Sequence, residues 1–244
     1  MSALGHYLEA AGIATVCISL FRPHTERMLP PRTLWVPFEL GRPLGEPEDP
    51  VFQRQVLSTA LQLLEDVCRP RHIADFAPQA PGFADDPDWQ PPRLATESTA
   101  SPDAAGTPEA LAAELRALAP AYHRATARRG RTTVGNSGLS LAGIAEFLQA
   151  MAAGTPPESP IAGQHPAMAM RLAADDLKAH YLEAAAAEGR PSSRQLQRWF
   201  WDTTAAGKLL IRLRSKMMVS DDKLLRMVAT GQLVPAEQRE RLGL

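Results

Sequence analysis

The chain has 244 residues, enough for one large domain or two small ones, and its 45% hydrophobic and 22% charged residues are ordinary for a globular protein. Its formal net charge of −1 and isoelectric point of about 6.6 exclude a basic field that would steer it to nucleic acid or an anionic membrane. No apolar run approaches the roughly 20 residues of a membrane span, and the N-terminus does not read as a signal peptide, so we expect a cytoplasmic protein.

The chain has only two cysteines, Cys17 and Cys68, and no CxxC pair. This usage argues against a disulfide framework or a structural zinc site. The histidines at positions 123, 165 and 180 show no metal-ligand spacing with carboxylates on one helix face. We therefore expect no metal site, and no cofactor is evident from the sequence.

The first 70 residues alternate between helical and strand patterns. Residues 4–11 have helical spacing, and Gly12 follows where a left-handed C-terminal residue is expected. Residues 13–20 are β-branched and nearly all apolar, which predicts a strand covered on both faces. A short helix-like run over 24–29 precedes a second strand at 33–38.

A turn-dense loop follows the second strand, and a helix begins at Pro50 with Asp49 as its N-cap. The order predicts one and a half βα units of a parallel, doubly wound sheet, a small Rossmann-like unit. Two strands do not make a stable sheet alone, and residues 70–100 look too poor in strand pattern to add one. We therefore expect another chain to complete the sheet edge, as a homo- or hetero-oligomer.

The domain organisation predicted from these patterns has three parts: an α/β segment over 1–68, a Pro-rich linker over 69–106 and an α-helical bundle over 107–244. The linker composition cannot bury enough apolar surface to offset its ordering entropy, although Phe76, Phe83 and Trp89 offer contacts to a surface. Helices are predicted at about 107–129 with a kink at Pro120, 140–153, 166–187 and 192–217, with shorter ones from Ser220 and Pro235.

The loop at 41–47 is the first candidate binding site, with Gly41, Arg42 and Gly45. It follows a strand, and the Arg42 guanidinium suits a carboxylate or another anion. The alternative is a rigid turn that shapes the strand-to-helix transition. Arg22 and His24 come after the first strand, at the same expected edge, and His6 is a third candidate for that end of the sheet.

The two cysteines are candidate redox nucleophiles, with a structural alternative for each. Cys17 falls within the predicted first strand, where a cysteine is more often a small core residue. Cys68 has Arg69 and Arg71 nearby, but it sits at a helix end, where the helix dipole disfavours a thiolate.

The helical part offers three further features. Arg128, Arg129 and Arg131 either grip an anion or complement the dipole of a helix C-terminus. Asp175, Asp176 and Lys178 are expected to form a solvated helix face. Since Trp199, Phe200 and Trp201 cannot all face inward on one helix, we expect Trp201 to contact a partner domain or subunit.

Four motifs within residues 4–66 resemble one known family. They are the helix end EAAGI (9–13), the strand TVCIS (15–19), PPR (30–32) and the loop PFELGRPLGEP (37–47). This segment is similar to the selenoprotein B component of the glycine, sarcosine, betaine and D-proline reductases. The resemblance implies a thiol- or selenol-dependent reductase that breaks a C–N bond of a small amino-acid-like substrate, often helped by a pyruvoyl-bearing partner.

The sequence departs from that family in one respect. The family's redox cysteine or selenocysteine motif lies immediately before the first helix, and no cysteine precedes that helix here. Two functions therefore stay open: an oxidoreductase-type, reductase-like subunit, or a non-catalytic binding or assembly subunit of a larger complex that binds a small anionic or amino-acid-like ligand. A helical regulator without a ligand is a third.

Overall fold

The computed structural model describes residues 2–38, 40–66, 71–78, 85–94, 107–154 and 156–244. The chain divides into two compact units, Met1–Ala84 and Asp85–Leu244, here called the N-terminal unit and the C-terminal unit. The stretch expected as a linker contributes to both, because residues 71–78 belong to the first unit and 85–94 to the second. None of the described helices combines the length and the apolar character that crossing a membrane requires.

The N-terminal unit is mixed α/β. Its described elements are α1 (Ser2–Ala10), β1 (Cys17–Ser19), α2 (Arg22–Met28), β2 (Arg32–Trp35), α3 (Pro50–Asp66) and β3 (His72–Asp75). Both predicted strands are shorter than their apolar runs. Ahead of β1, the backbone N–H of Thr15 donates to the Glu9 carboxylate at 2.7 Å instead of to a neighbouring strand.

The sheet is parallel and its described strands lie in the order β1-β2-β3. The register places Ser19 beside Trp35 and Trp35 beside Asp75. The expectation that residues 70–100 contain no strand is wrong, since β3 pairs with β2 along its whole length. The third strand comes from the same chain, so the need for a strand from another chain no longer argues for oligomerisation.

The core of the N-terminal unit lies between the sheet and α3. One side of α3 buries Phe52, Val56, Ala60 and Leu63, at the four-residue and three-residue spacing of a helix face. The rings of Phe38, Phe52 and Phe76 form a cluster with centroids 5.6–5.9 Å apart. Phe38 and Phe76 each lie just beyond a strand, so this cluster closes the core near the carboxyl ends of β2 and β3.

The C-terminal unit is helical throughout its described secondary structure. Its helices are α4 (Pro108–Arg129), α5 (Leu141–Ala153), α6 (Pro166–Ala185), α7 (Ser193–Thr203), α8 (Ala205–Met217), α9 (Lys223–Gly231) and α10 (Ala236–Leu242). Thr107 and Ser140, where the first two helices were predicted to begin, are N-caps that accept hydrogen bonds from the backbone of the first turn, and Gly130 ends α4 in a left-handed conformation. The α4 assignment continues through Pro120 without a break.

The helix predicted over 192–217 is two helices. The chain leaves α7 at Thr204, which has extended backbone angles and whose hydroxyl accepts from Gly207 N–H as the N-cap of α8. A Cβ at Gly207 would lie 2.3 Å from the Phe200 carbonyl oxygen. The glycine is therefore required for the close approach of α8 to the end of α7.

The expectation that Trp201 contacts a partner is wrong. Trp201 is 2% exposed and lies in the core of the C-terminal unit with Trp199 and Phe200. Its indole N–H donates to the Gln197 side chain at 2.8 Å. The three aromatic residues are all buried because α7 is covered on more than one side, which the assumption of one continuous helix did not allow.

Candidate functional site

A polar cluster of the N-terminal unit lies where the three parallel strands end. Ser19, Trp35 and Asp75 are the last residues of β1, β2 and β3 and occupy one row of the register. In a pleated sheet, residues in one row point to the same face. The carboxyl edge of a parallel sheet is also where α/β proteins bind ligands.

Arg22 is at the centre of this cluster. It begins α2, and its Nη1 lies 2.5 Å from Asp75 Oδ1 while its Nε lies 2.7 Å from Glu26 Oε1. The guanidinium carbon lies 5.1 Å from the centroid of the Trp35 ring, within the range of a cation–π contact. The hydrogen bond to Glu26, which has the larger effect, and the hydrogen bond to Asp75 raise the pKa of Arg22 above its usual value.

The short segment between β1 and α2 holds Arg22 in this position. The Thr25 side chain is buried, and its hydroxyl donates to the Phe21 carbonyl oxygen at 3.1 Å. The same hydroxyl is hydrogen-bonded to Ser19 Oγ, which ties the first turn of α2 to the last residue of β1. The cation is thus fixed by its own helix, by the β1 end and by the β2 tryptophan.

The side chains of the Arg22 cluster are accessible. Those of Arg22, Asp75 and Glu26 are 38%, 56% and 55% exposed. Ion pairs at this exposure contribute only about 0–1 kcal/mol to stability. A ligand with matching charges can therefore exchange with these pairs without a large loss of folding free energy.

The loop at 41–47, predicted as a binding site, makes its contacts within the loop itself. Arg42 pairs with Glu46 in its own loop at 2.7 Å. Gly45 N–H donates to the Arg42 carbonyl oxygen at 3.0 Å, and both Gly41 and Gly45 have positive φ angles, which favour glycine. These contacts describe the rigid turn that was the alternative reading, although the Arg42 side chain remains 43% exposed.

Of the two histidines predicted for the sheet edge, His6 lies away from Arg22. His24 is exposed on α2. His6 Nε2 is 3.2 Å from the carbonyl oxygen of Met28, which places His6 at the opposite end of α2 from Arg22. The expected grouping of the two histidines with Arg22 at one end of the sheet is therefore wrong for His6.

Cys17 is the first residue of β1, not a central one, and it is half-buried. Its side chain points to the same face as Ser19, two residues on. A Cβ at Gly5 of α1 would lie 3.7 Å from its sulfur. Burial raises the pKa of the Cys17 thiol, which disfavours the nucleophilic thiolate. Cys68 lies outside the described residues.

In the C-terminal unit, the prediction of a solvated face on α6 is wrong for Asp176. Asp175 pairs with Lys178 at 2.8 Å. Asp176 is fully buried and accepts hydrogen bonds from the backbone N–H groups of residues 135, 136 and 137 and from the Ser137 hydroxyl, at 2.6–3.0 Å. Four donors satisfy this carboxylate, so its role is to hold the 132–138 loop.

Glu183 lies two turns further along α6 and binds the same loop. Its carboxylate accepts from Thr133 N–H, Thr133 Oγ1 and Thr132 Oγ1 at 2.7–2.8 Å. Burial alone would raise the pKa of Glu183, but these hydrogen bonds and the nearby Arg129 leave it below the usual value. Arg129 therefore acts on a carboxylate of its own unit, while Arg128 donates to the Ala186 carbonyl oxygen at 3.3 Å.

His180 lies between these two carboxylates on α6 and is fully buried. Neither ring nitrogen has a hydrogen-bond partner in the described part of the chain, and the ring packs on Tyr122 with centroids 4.5 Å apart. Burial lowers the pKa of His180 to about 4, so the ring is neutral near pH 7. No group of three potential metal ligands occurs among the described residues.

Sequence reasoning found Arg22 but missed Asp75, Glu26 and Trp35 as its neighbours. Glu26 was accessible to pattern reasoning, because it follows Arg22 by four residues and lies in the predicted helix-like run over 24–29, although that run was expected to begin after Arg22. Asp75 and Trp35 required the β2–β3 register, and β3 was not predicted.

No protein-family model matches the chain, and neither the curated proteins nor the solved structures compared with it include a match.

Proposed function

We propose that the chain is a non-catalytic binding or assembly subunit whose N-terminal unit, a minimal Rossmann-like unit, binds a small amino-acid-like ligand at the carboxyl edge of its sheet. The observation that carries the proposal is Arg22, held over Trp35 between two accessible carboxylates. The parallel strand order supports the same edge as the binding surface.

The cluster offers both charges that a zwitterionic amino acid needs. A ligand carboxylate can replace Asp75 or Glu26 on the guanidinium, where paired N–H donors match its two oxygens. The carboxylate that is displaced and the one that stays beside Arg22 are then both close enough to face the ligand ammonium group. A ligand with only one of the two charges would leave part of the cluster without compensation, so we expect the cluster to prefer zwitterions.

A reductase-like subunit acting on the same class of ligand by thiol redox chemistry is the second candidate. The observation that favours it is the location of Cys17 on the face of the sheet that also carries Ser19, Trp35 and Asp75. The raised pKa of the Cys17 thiol opposes it, because a protonated thiol is a poor nucleophile. Alkylation of the native chain with iodoacetamide at neutral pH, followed by peptide mass spectrometry, separates the two: the binding proposal predicts that Cys17 reacts far more slowly than in the unfolded chain.

Isothermal titration calorimetry tests the binding proposal directly. The probes are glycine and proline as zwitterions, and acetate and ethylamine as singly charged controls. We expect the zwitterions to bind more tightly than either control, and Arg22→Gln to weaken their binding about tenfold or more, since hydrogen bonds to charged groups contribute about 1.5–3 kcal/mol.

Arg27→Gln is the matched control variant. Arg27 is also an exposed arginine of α2, but it lies five residues beyond Arg22, away from the strand ends. It should bind the zwitterions like the unchanged chain. Equal binding of zwitterions and singly charged probes, or equal losses in both variants, would contradict the proposed site.

A further inference from the structure

Helix α3 carries a second apolar strip that its own sheet does not cover. The buried strip of α3 faces the sheet through Phe52, Val56, Ala60 and Leu63. Leu57 and Leu61 lie about 120° around the helix from the centre of that strip, at 100° per residue, and they are 43% and 58% exposed. Leu64, three residues after Leu61, continues the second strip and is half-buried.

Two charges of opposite sign, Arg54 and Glu65, lie beside this strip. Arg54 and Glu65 are both exposed, lie on the same side of the Leu57–Leu61 strip, and have no ion-pair partner among the described residues. They are eleven residues apart, about 16 Å along the helix axis, too far apart to pair with each other within one helix. Each charge therefore lacks its complement in the described part of the chain.

We infer that this strip is the contact between two copies of the chain, in which the two α3 helices pack antiparallel about a twofold axis. The axis passes midway between Arg54 and Glu65, beside the position between Thr59 and Ala60. In that arrangement Leu57 of one copy lies beside Leu61 of the other. Antiparallel helices pair flanking residues from the same side of the strip, so Arg54 of each copy lies opposite Glu65 of the other.

Charge complementarity selects this occupant over others. A twofold interface uses the same patch on both copies, so the patch must be complementary to itself. The sequence of α3 satisfies this condition twice, once through the paired leucines and once through the Arg54–Glu65 pair. A parallel arrangement of the same helices would instead place the two Arg54 residues on opposite sides of the contact, and likewise the two Glu65 residues, so neither charge would meet its complement.

The expected dimer is weak. A helix of 17 residues is about 25 Å long, and one helix pair covers less than the roughly 1,200 Å² of a stable interface. Association should therefore be measured by sedimentation equilibrium of the full chain at concentrations up to about 0.5 mM, where a weak dimer is populated.

Charge reversal tests the geometry. Arg54→Glu and Glu65→Arg each create two repulsive pairs in the dimer, and each should raise the dimer dissociation constant about tenfold or more. The double variant Arg54→Glu/Glu65→Arg restores both pairs and should return to within about threefold of the unchanged chain. A mixture of the two single variants should form a heterodimer, because every cross pair is then of opposite charge.

Two further variants complete the experiment. Leu61→Glu removes the apolar contact at an exposed position, so it should abolish dimerisation and leave the circular dichroism spectrum unchanged. Gln55→Glu adds a charge to α3 on the side away from the strip and should not affect dimerisation. A chain that stays monomeric throughout, or a dimer that ignores the Arg54 and Glu65 reversals, would overturn the inference.

Discussion

The two units of the chain differ in how far their charged groups and apolar side chains are buried. In the N-terminal unit, leucines of α3 remain exposed and the charged cluster around Arg22 is open to solvent. In the C-terminal unit, a large apolar core encloses carboxylates that are fully hydrogen-bonded, such as Asp176 and Glu114. Asp176 and Glu114 thus fix the structure of the C-terminal unit, whereas the Arg22 cluster and the Leu57–Leu61 strip of the N-terminal unit remain exposed.

Glu114 illustrates how the C-terminal unit uses a buried charge. Its carboxylate accepts from the Tyr181 hydroxyl at 2.9 Å and from the Ala205 N–H at 2.8 Å. Ala205 is the first residue of α8, where the helix dipole favours a negative charge. A charge from α4 therefore joins α6 to the start of α8, in a site that is closed to ligands.

The largest expected effect concerns Asp176. Asp176→Ala leaves the backbone N–H groups of residues 135, 136 and 137 and the Ser137 hydroxyl without their acceptor, and should lower the free energy of unfolding by about 3–5 kcal/mol. Urea unfolding followed by tryptophan fluorescence measures it, since Trp89, Trp199 and Trp201 all belong to the C-terminal unit. Asp175→Ala is the adjacent control, with an expected loss of about 1 kcal/mol or less.

The next effect depends on pH through His180. Its pKa in the folded chain is about 4, below the value of about 6.5 expected in the unfolded chain. As the pH falls from about 6.5 to 4, the unfolded chain takes up a proton that the folded chain excludes, so stability falls by up to about 3 kcal/mol. The groups around the His180 ring are Tyr122, His123, Tyr181 and Glu183.

A pH series of urea unfolding curves isolates this contribution. His180→Phe keeps an aromatic ring at the position and removes the titrating group. We expect the unchanged chain to lose more stability than this variant between pH 7 and pH 4, and the two profiles to run parallel above pH 7. Parallel profiles over the whole range would show that His180 is not excluded from protonation.

A steric effect is expected at Gly207. Gly207→Ala places a methyl group against the Phe200 carbonyl oxygen and forces α8 away from α7, at a cost of about 1–3 kcal/mol. Gly231→Ala is the matched control, because nothing lies within 4 Å of a Cβ at that position. Thermal unfolding monitored by circular dichroism should show a lower midpoint for the first variant only.

The smallest expected effect on stability is at the carboxyl edge of the sheet. Asp75→Asn should change the free energy of unfolding by about 1 kcal/mol or less, because the pair with Arg22 is exposed. The same substitution should weaken zwitterion binding in calorimetry, since it removes one of the two charges that face the ammonium group. A stability loss as large as that of Asp176→Ala would remove the contrast between the two units.

The helical unit was the more predictable part because its signals are local. Thr107 and Ser140 are N-caps, Gly130 ends a helix, and Ser192 and Gln195 form a capping box within four residues of each other. Thr204 is a cap of the same kind, but the apolar pattern continues on both sides of it and hid the break. The burial of Asp176 could not be predicted, because its hydrogen-bond donors come from a loop about 40 residues earlier.

The candidate site was predictable only in part, because it depends on the sheet. Arg22 was recognised from its position after β1, but its partner Asp75 lies 53 residues away at the end of a four-residue strand with a single β-branched residue, Ile73. Short strands carry little periodicity, and their partners determine them more than their own sequence does. The loop at Arg42 was predicted as a site because its glycine and proline residues can be recognised from the sequence alone, whereas strand register cannot.

Hydrogen–deuterium exchange of the full chain, with and without saturating glycine, tests the central claim most directly. We expect slower exchange in peptides that cover 19–28, 35–38 and 72–76, where the strand ends and α2 surround Arg22. Exchange in the C-terminal unit should not change. Protection confined to the C-terminal unit, or no protection at any concentration of glycine, would contradict the assignment of ligand binding to the carboxyl edge of the sheet.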